Sequence, residues 1–227
     1  GQRISDLLVS VSGDLKTTAD LGYALVVRQK NERLDIEVLQ IDLAAAILNV
    51  ESDDNIATKP RDKIIVFGLT QVSDISSLKI DIEINEDSDL KADSDLKLDA
   101  DADADADADQ REVLLKPVIE KLLLQARSGE PVQTVSIDGA VKSPGIFPLT
   151  AGLTVQKLVA AAGGLKDDAY TKSAELRKLY LNSVSEVLSR YEEINLASEI
   201  ELVVSTRLDS RDHLNVRAVP EWNPDDS

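Results

Sequence analysis

Few residues in this chain have the type and spacing to do chemistry. His213 is the only histidine, and no serine, cysteine or second histidine lies at a sequence spacing that suggests a catalytic pair or a metal site around it. The absence of cysteine excludes thiolate catalysis, disulfides and cysteine-ligated zinc. Neither a glycine-rich phosphate loop nor a nucleophile elbow is present. We therefore expect a structural histidine, no bound cofactor or metal, and a chain that is not an enzyme.

The aspartates are concentrated between residues 81 and 109. This stretch holds 11 Asp, 2 Glu and 2 Lys, so it carries −11 of the formal charge of −17 and leaves −6 for the rest of the chain. It ends in five Ala-Asp dipeptides, and in an extended chain the Asp residues from 99 to 109 would lie on one side, about 7 Å apart. That spacing could gather calcium, but the glycine and the closing Glu of a calcium loop are missing. A solvated low-complexity spacer is the favoured interpretation.

Charge and hydropathy exclude several partners. An acidic chain repels nucleic acid, and no basic amphipathic run suggests binding to an anionic membrane surface. No stretch reaches the roughly 18 apolar residues of a membrane-spanning helix, and no signal peptide is visible. The sequence contains no methionine, which suggests a mature or excised piece of a longer protein. We expect neither nucleic acid nor a direct membrane span for this segment.

The pattern of strands and helices is clearest in residues 135–165 (VSIDGAVKSPGIFPLTAGLTVQKLVAAAGGL). Apolar and polar residues alternate at the start, which predicts a half-buried strand interrupted by Gly139. Pro144 and Gly145 then suit the two central positions of a type II turn, so the chain should return as a second strand of a hairpin. Pro148 confines that second strand to a sheet edge or a strand end. We interpret the two glycines and Pro144 as backbone devices rather than a binding loop.

A short helix is predicted directly after this hairpin. Thr154 has the position and side chain of an N-cap. The residues that follow form one apolar helical stripe at spacings of three and four: Val155, Leu158, Val159 and Ala162. Gly163 and Gly164 end the helix. The whole unit is therefore a hairpin with a short helix laid across it.

A weaker copy of this pattern opens the chain. A helical stripe is formed by Ile4, Leu7, Leu8 and Val11, with Gly13 as its terminator. Strands are predicted at residues 24–29, 34–41 and 63–67 of the first copy and at 175–181, 186–196 and 213–219 of the second, with a small apolar turn at 42–48. Arg61-Asp62 and Arg211-Asp212 precede the last strand of each copy, 150 residues apart, and are interpreted as turn caps rather than subunit contacts. This indicates a duplicated α+β domain, each copy a small mixed sheet with a short helix, the β-grasp layout.

These residues resemble those of a known family. The second copy carries Gly139-Ala140-Val141, Pro144-Gly145, residues 153–158 (LTVQKL) and Gly163-Gly164-Leu165, and the first copy carries residues 4–8 (ISDLL) and 61–67 (RDKIIVF). Together they resemble the soluble-ligand-binding β-grasp (SLBB) repeat of outer-membrane polysaccharide export proteins of the Wza type. Residues 219–224 (VPEWNP) resemble the link into a further repeat.

The resemblance implies two tandem SLBB-like domains. The expected boundaries are residues 1–68 for the first domain, 69–110 for an extra strand and the acidic insert, 111–131 for a linker helix, 132–220 for the second domain and 221–227 for the start of a link to a further repeat. It implies a periplasmic, ring-forming module of an exporter of capsular polysaccharide or exopolysaccharide. A homo-oligomer, the exported polysaccharide and the inner-membrane export machinery are then the expected partners. The family's export signature, lipid-anchored cysteine and membrane helix are not in this sequence.

Two segments between the copies have clear patterns. Residues 78–84 (LKIDIEI) alternate as a strand, and residues 111–127 (REVLLKPVIEKLLLQAR) have helical periodicity, kinked or delayed at Pro117. The expected apolar face of that helix is Leu114, Leu115, Val118, Ile119, Leu122 and Leu123. The first copy begins at its helix, without a preceding hairpin. We expect residues 78–84, or a strand from a second molecule, to complete its sheet.

Three functional hypotheses from different classes remain open. The resemblance favours a structural ring module of a polysaccharide exporter. A carbohydrate-binding module is the alternative, but it needs aromatic platforms, and the chain has only Trp222, four Tyr and two Phe. A β-grasp module of an unrelated system, such as a cobalamin-binding or DNA-uptake protein, is disfavoured because the charge opposes DNA and only His213 could ligate cobalt.

Overall fold

The described residues form two β-sheets of unequal size, covered by short helices and by one long helix. The structure is a computed structural model and describes residues 2–8, 11–69, 101–126, 131–181, 187–197 and 206–220. We call residues 2–69 the first unit and residues 131–220 the second unit, in each case as far as they are described. The predicted strand at 78–84 and the first part of the acidic insert lie outside the described residues.

Helices and strands are interspersed along the described part of the chain. In chain order they are α1 (Ile4–Leu7), α2 (Val11–Asp14), β1 (Ala19–Gln29), β2 (Ile36–Ile41), α3 (Leu43–Leu48), β3 (Lys63–Gly68), α4 (Asp101–Gln125), β4 (Thr134–Gly139), β5 (Gly145–Pro148), α5 (Val155–Ala161), β6 (Ala169–Leu181), β7 (Val187–Ile194) and β8 (His213–Ala218). The first sheet has the order β2-β1-β3 and the second β5-β4-β8-β6-β7. Among the described strands, only β4 and β8 pair in parallel. The fold is therefore mixed α+β, as the sequence predicts.

The hairpin and helix of the second unit are confirmed. β4 pairs antiparallel with β5, which is the edge strand of its sheet and ends at Pro148. Thr154 caps α5, because its hydroxyl accepts a hydrogen bond from the Lys157 amide at 3.3 Å. Gly163 and Gly164 follow the helix with φ of 78° and 97°, the left-handed conformation that commonly ends helices. The side chain of Leu158 is buried beneath the helix.

Gly139 is required by a close backbone approach. It has φ of 88°, and a Cβ built on it would lie 1.9 Å from the carbonyl oxygen of Val216 in β8. The same oxygen accepts a hydrogen bond from the amide of Ala140 at 2.7 Å. The chain thus turns out of β4 while pressed against its parallel neighbour, and no side chain fits at this position.

The opening of the first unit differs from its prediction in two places. The single helix expected from Ile4 to Gly13 is two short helices, α1 and α2, and Leu7 is 44% exposed rather than on a buried stripe. The apolar turn expected at residues 42–48 is helix α3. Asp42 caps it by accepting a hydrogen bond from the Ala45 amide at 2.8 Å, and its alanine content favours a helix over a turn.

Helix α4 begins ten residues before the expected start at Arg111, because it takes in the Ala-Asp dipeptides from Asp101 onward. Alanine is the strongest helix former, and aspartate is favoured near the positive end of the helix dipole. The backbone of residues 101–109 is helical, so the one-sided Asp spacing of an extended chain does not apply there. Pro117 lies inside the helix without ending it.

The core has two parts. One face of the first sheet is covered by α1 and α3 in a small cluster of Ile4, Ala24, Val26, Ile41, Leu43 and Ala46. The other face joins a larger cluster that also contains the buried side of α4 and the interior of the second unit. On α4, Leu115, Val118 and Leu122 are buried, whereas Leu114 and Leu123 are 40% and 52% exposed. The predicted apolar face of this helix is therefore wider than the buried one.

Candidate functional site

The outer face of the second sheet carries a row of side chains that we call the polar row. Strand register places Ser136 of β4, His213 of β8, Arg177 of β6 and Tyr191 of β7 side by side across four strands. Neighbouring members are therefore about 4.8 Å apart along the row. The row combines a hydroxyl, an imidazole, a guanidinium and a phenol on one surface.

His213 has partners that its sequence spacing does not reveal. The hydroxyl of Ser136 lies 2.9 Å from Nδ1, and Oδ2 of Asp138 lies 3.3 Å from Nε2. Both ring nitrogens are engaged, by side chains that lie more than 70 residues away in the sequence. The array lies on an open sheet face with the Asp138 side chain 51% exposed, whereas nucleophilic catalysis uses a water-excluding site. The geometry fits an oriented surface histidine.

Arg177 is the least satisfied member of the polar row. Its Nε is buried and has no hydrogen-bond partner among the described residues. A buried donor without a partner is costly, so the Nε of Arg177 is an unsatisfied hydrogen-bond donor on this face. The next row along the strands is Asp138, Asn215, Glu175 and Glu193, and Arg217 lies 3.4 Å from Glu175. The face as a whole is mixed in charge.

The two Arg-Asp pairs are found at equivalent corners of the two units. Arg61 and Arg211 adopt φ of 70° and 65°, and each following aspartate accepts a hydrogen bond at 2.8 Å from the backbone amide three residues before it. These carboxylates therefore cap a turn before β3 and β8, which is the role that the sequence predicts. Each also faces a cation from the neighbouring strand, Arg28 in the first unit and Lys178 in the second.

The neighbouring cation determines how many oxygens of each aspartate carboxylate are paired. Arg28 contacts both oxygens of Asp62, with its Nη2 2.8 Å from Oδ2 and its Nε 3.1 Å from Oδ1. Lys178 lies 3.5 Å from Oδ2 of Asp212, and Oδ1 of this buried carboxylate has no hydrogen-bond partner among the described residues. Burial raises the pKa of Asp212. Burial also acts on Asp62, but the hydrogen bonds from Arg28 and from the Lys59 amide outweigh it and lower that pKa.

Arg111 joins the two units through α4. Its guanidinium is buried and donates to Oδ2 of Asp20 at 2.9 Å, to the carbonyl of Gly68 at 3.1 Å and to the carbonyl of Ala161. Asp20 and Gly68 belong to the first unit and Ala161 to the second. The guanidinium also lies over Tyr23 and Phe67, two stacked rings 4.9 Å apart. Burial raises the pKa of Tyr23, so its hydroxyl stays neutral.

Two neighbouring cavities form a depression that we call the trough. One, of about 650 Å³, lies between the units and is lined by β2, the end of α4 and the loop before α5. The other, of about 460 Å³, runs beside the β6–β7 hairpin. They share four lining residues, Pro131, Gln133, Leu149 and Asp209, so they are continuous. The buried hydroxyl of Thr150 lines the first cavity and has no hydrogen-bond partner among the described residues.

The type II turn predicted around Pro144 and Gly145 is wrong, because Gly145 is the first residue of β5, pairs with Ile137 and has φ of 152° rather than about 80°. Pro144 and Gly145 line a third cavity, of about 360 Å³, against one face of α4. Within the described part of the chain, no cluster of three or more acidic or histidine side chains could hold a metal ion. Over the same residues, no helix has the length and apolar character needed to cross a membrane.

The comparison with family models matches part of the second unit. Residues 134–187 match the family model of the SLBB domain, which covers β4, β5, α5 and β6. None of the curated proteins compared with the chain matches it. Over these residues the second unit is therefore similar to the SLBB domain, in the segment that carries the glycines and the hairpin. The polar row straddles the match, because Ser136 and Arg177 lie within it and His213 lies beyond it.

Proposed function

We propose that this chain is a non-enzymatic, ring-forming structural module of an outer-membrane protein that exports capsular polysaccharide or exopolysaccharide, and that it works in the periplasm. The observation that carries the proposal is the SLBB match at residues 134–187, because SLBB domains occur in polysaccharide export proteins. The expected partners are further copies of the chain, the exported polysaccharide and the inner-membrane export machinery.

We further propose that the first unit is a diverged second copy of the SLBB domain. The strand registers support this. The pairs Ala19–Gly68 and Ala24–Val66 of the first sheet correspond to Ala169–Ala218 and Ala174–Val216 of the second, with the same register shift between them. Helix attachment supports it too, because the amides of Ile4 and Val155 donate to the carbonyls of Ile56 and Thr206 at 3.2 and 3.0 Å.

Cells that make the full-length protein provide the test. Deleting its gene should remove polysaccharide from the cell surface while leaving polysaccharide synthesis intact, and fractionation should find the protein in the periplasmic or outer-membrane fraction. Reintroducing the gene should restore the surface polysaccharide. Unchanged surface polysaccharide in the deletion strain, or a cytoplasmic protein, would contradict the proposal.

A carbohydrate-binding role is the second candidate, and the polar row favours it. Tyr191 is 60% exposed and pairs in register with Arg177, whose Nε has no hydrogen-bond partner among the described residues, so an aromatic face and a hydrogen-bond donor lie together. Calorimetry with the purified polysaccharide should then show heat that Tyr191→Ala abolishes. Tyr170→Ala is the matched control, because Tyr170 is 40% exposed and is not in the row. Equal heats for the two variants would exclude this role for the row.

A further inference from the structure

The last strands of the two units have different neighbours. In the second unit β8 lies between β6 and β4, so it is paired along both sides. In the first unit β3, which corresponds to β8 in strand register, pairs with β1 alone among the described strands. We call the side of residues 61–66 that faces away from β1 the open edge.

Backbone groups along the open edge lack bonds that their counterparts make. In the second unit the carbonyls of Asp212 and Val216 accept hydrogen bonds at 3.0 and 2.7 Å from amides in and directly after β4. The corresponding carbonyls of the first unit belong to Asp62 and Val66, and no described residue bonds to them across this edge. An unpaired strand edge of this kind is a template for one more extended segment.

Side chains beside the open edge are also less buried than their counterparts. Leu214 and Val216 of β8 are fully buried, whereas Ile64 and Val66 of β3 are only partly buried. Both the backbone and the side chains of β3 therefore leave room for a further strand.

Leu7 of α1 shows the same difference more strongly. It corresponds to Leu158 of α5, because each lies three residues after the amide that attaches its helix to the loop before the last strand. Leu158 is 1% exposed and shares a cluster with Val135 and Ile137 of β4, whereas Leu7 is 44% exposed. The first unit thus has exposed apolar surface where the second unit has the β4–β5 hairpin.

Residues 78–84 (LKIDIEI) have the pattern that this edge requires. Their apolar residues alternate with charged ones, which is typical of a strand with one buried side. Residues 69–77 connect them to the end of β3, and nine residues reach about 30 Å, more than the roughly 20 Å length of β3. Both ends of the open edge are therefore within reach. A tethered segment also has an effective concentration in the millimolar range, which favours it over a strand from a second copy.

We propose that residues 78–84, which lie outside the described residues, pair with the open edge as the fourth strand of the first sheet and place Ile80, Ile82 and Ile84 towards Leu7. The inference rests on the proposed correspondence of the two units and goes beyond the export role. It gives β3, from its own chain, the cover that β4 gives β8. Pairing of β3 with other chains is then blocked.

Hydrogen exchange of the full chain, followed by NMR, tests the proposal at individual amides. The amides of Ile64 and Val66 face the open edge, because that of Leu69 donates to the carbonyl of Thr18 on the β1 side and successive amides of a strand alternate in direction. Both should be protected from exchange in the wild type, since residues 78–84 supply their hydrogen-bond acceptors.

Ile82→Pro should raise the exchange rates of Ile64 and Val66 by about tenfold or more, because proline interrupts a strand. The amide of Ile65, which faces β1, should stay protected and shows that the first sheet is still folded. Ala92→Pro, in the acidic insert, is the matched control and should change none of these rates. Unprotected amides at 64 and 66 in the wild type, or rates that Ile82→Pro does not raise, would overturn the proposal.

Engineered cysteines provide the second arm, because the chain has none of its own. Leu7→Cys combined with Ile82→Cys should form a disulfide within one molecule under mild oxidation, identified by mass spectrometry. Leu7→Cys combined with Asp81→Cys is the control and should give several-fold less, since Asp81 belongs to the opposite side of the alternation. Disulfide-linked dimers instead of the intramolecular product, or protection of Ile64 and Val66 that rises with protein concentration, would assign the strand to a second copy and contradict the proposal.

Discussion

At the scale of single residues, the two units can be compared at the buried carboxylate that precedes the last strand of each. Asp62 faces an arginine that contacts both of its oxygens, and Asp212 faces a lysine that contacts one. A guanidinium presents a planar fork that matches a carboxylate, whereas an ammonium is a point charge. Lys178 is also shared with the carbonyl of Arg207 and with Asp209. The two corners thus share a backbone geometry but differ in electrostatic satisfaction.

Lys178→Arg should stabilise the chain by about 1 kcal/mol, because it supplies the hydrogen bond that Oδ1 of Asp212 lacks. Arg28→Lys is the matched control and should destabilise the chain by a similar amount, since it removes the second contact to Asp62. Chemical denaturation of the two variants measures both changes. A loss of stability in Lys178→Arg would mean that the guanidinium does not reach Asp212.

Asp212 and Asp62 are expected to contribute to stability with opposite dependences on pH. The pKa of Asp212 is raised in the folded state by burial, so its contribution to stability is present below the unfolded value of 3.8 and is lost as the pH rises through the folded pKa. The pKa of Asp62 is lowered, so its contribution is present above 3.8 and is lost as the pH falls through the folded pKa. Carbon NMR titration should therefore find Asp212 above and Asp62 below 3.8, and Lys178→Arg should move Asp212 downward while leaving Asp62 in place. A titration in the reverse order would contradict the assignment.

At the scale of elements, the sequence predicted those strands, helices and turns that depend on residues close together in the chain. The β4–β5 hairpin, α5 and the last strand of each unit follow from alternation, turn residues and caps that lie within a few residues of one another. The side-by-side placement of Ser136 and His213 depends on a parallel pairing between strands 77 residues apart, and no local pattern encodes that register. In the sequence, Arg111 likewise has the pattern of an ordinary helix residue. Its linking role could not be predicted, because its three partners come from three different elements.

Gly139→Ala should destabilise the chain much more than Gly164→Ala. Both glycines have positive φ, 88° and 97°, so both substitutions carry the left-handed penalty of about 1 to 2 kcal/mol. Only at Gly139 does the new Cβ also meet a backbone atom, the Val216 oxygen at 1.9 Å, and the β4–β8 pairing must shift to relieve that contact. We expect a total of about 3 kcal/mol or more for Gly139→Ala, measured by denaturation. Equal costs would mean that β4 and β8 are farther apart than the structure places them.

At the scale of the whole molecule, the two units are held together by shared burial around α4. Leu115, Val118 and Leu122 belong to the same cluster as the interior of the second unit and the face of the first sheet that α1 and α3 do not cover. Arg111 adds polar contacts to both units from the same helix. The 150-residue repeat makes the units alike in strand register, whereas α4 has no counterpart in either. Their relative placement therefore depends on the one helix that the repeat does not supply.

Arg111→Ala should destabilise the whole chain by about 3 to 5 kcal/mol, because it leaves the Asp20 carboxylate and two carbonyls without their buried partner. Since Arg111 links both units, calorimetry should change from one cooperative transition in the wild type to two in the variant. Arg111→Lys should recover only part of the loss, as one ammonium cannot reproduce three directed contacts and the ring stacking. The control is Arg190→Ala, whose side chain is 71% exposed beside Glu192 and should change stability by less than about 0.5 kcal/mol. A single transition in Arg111→Ala with near wild-type stability would show that apolar packing on α4 suffices to join the units.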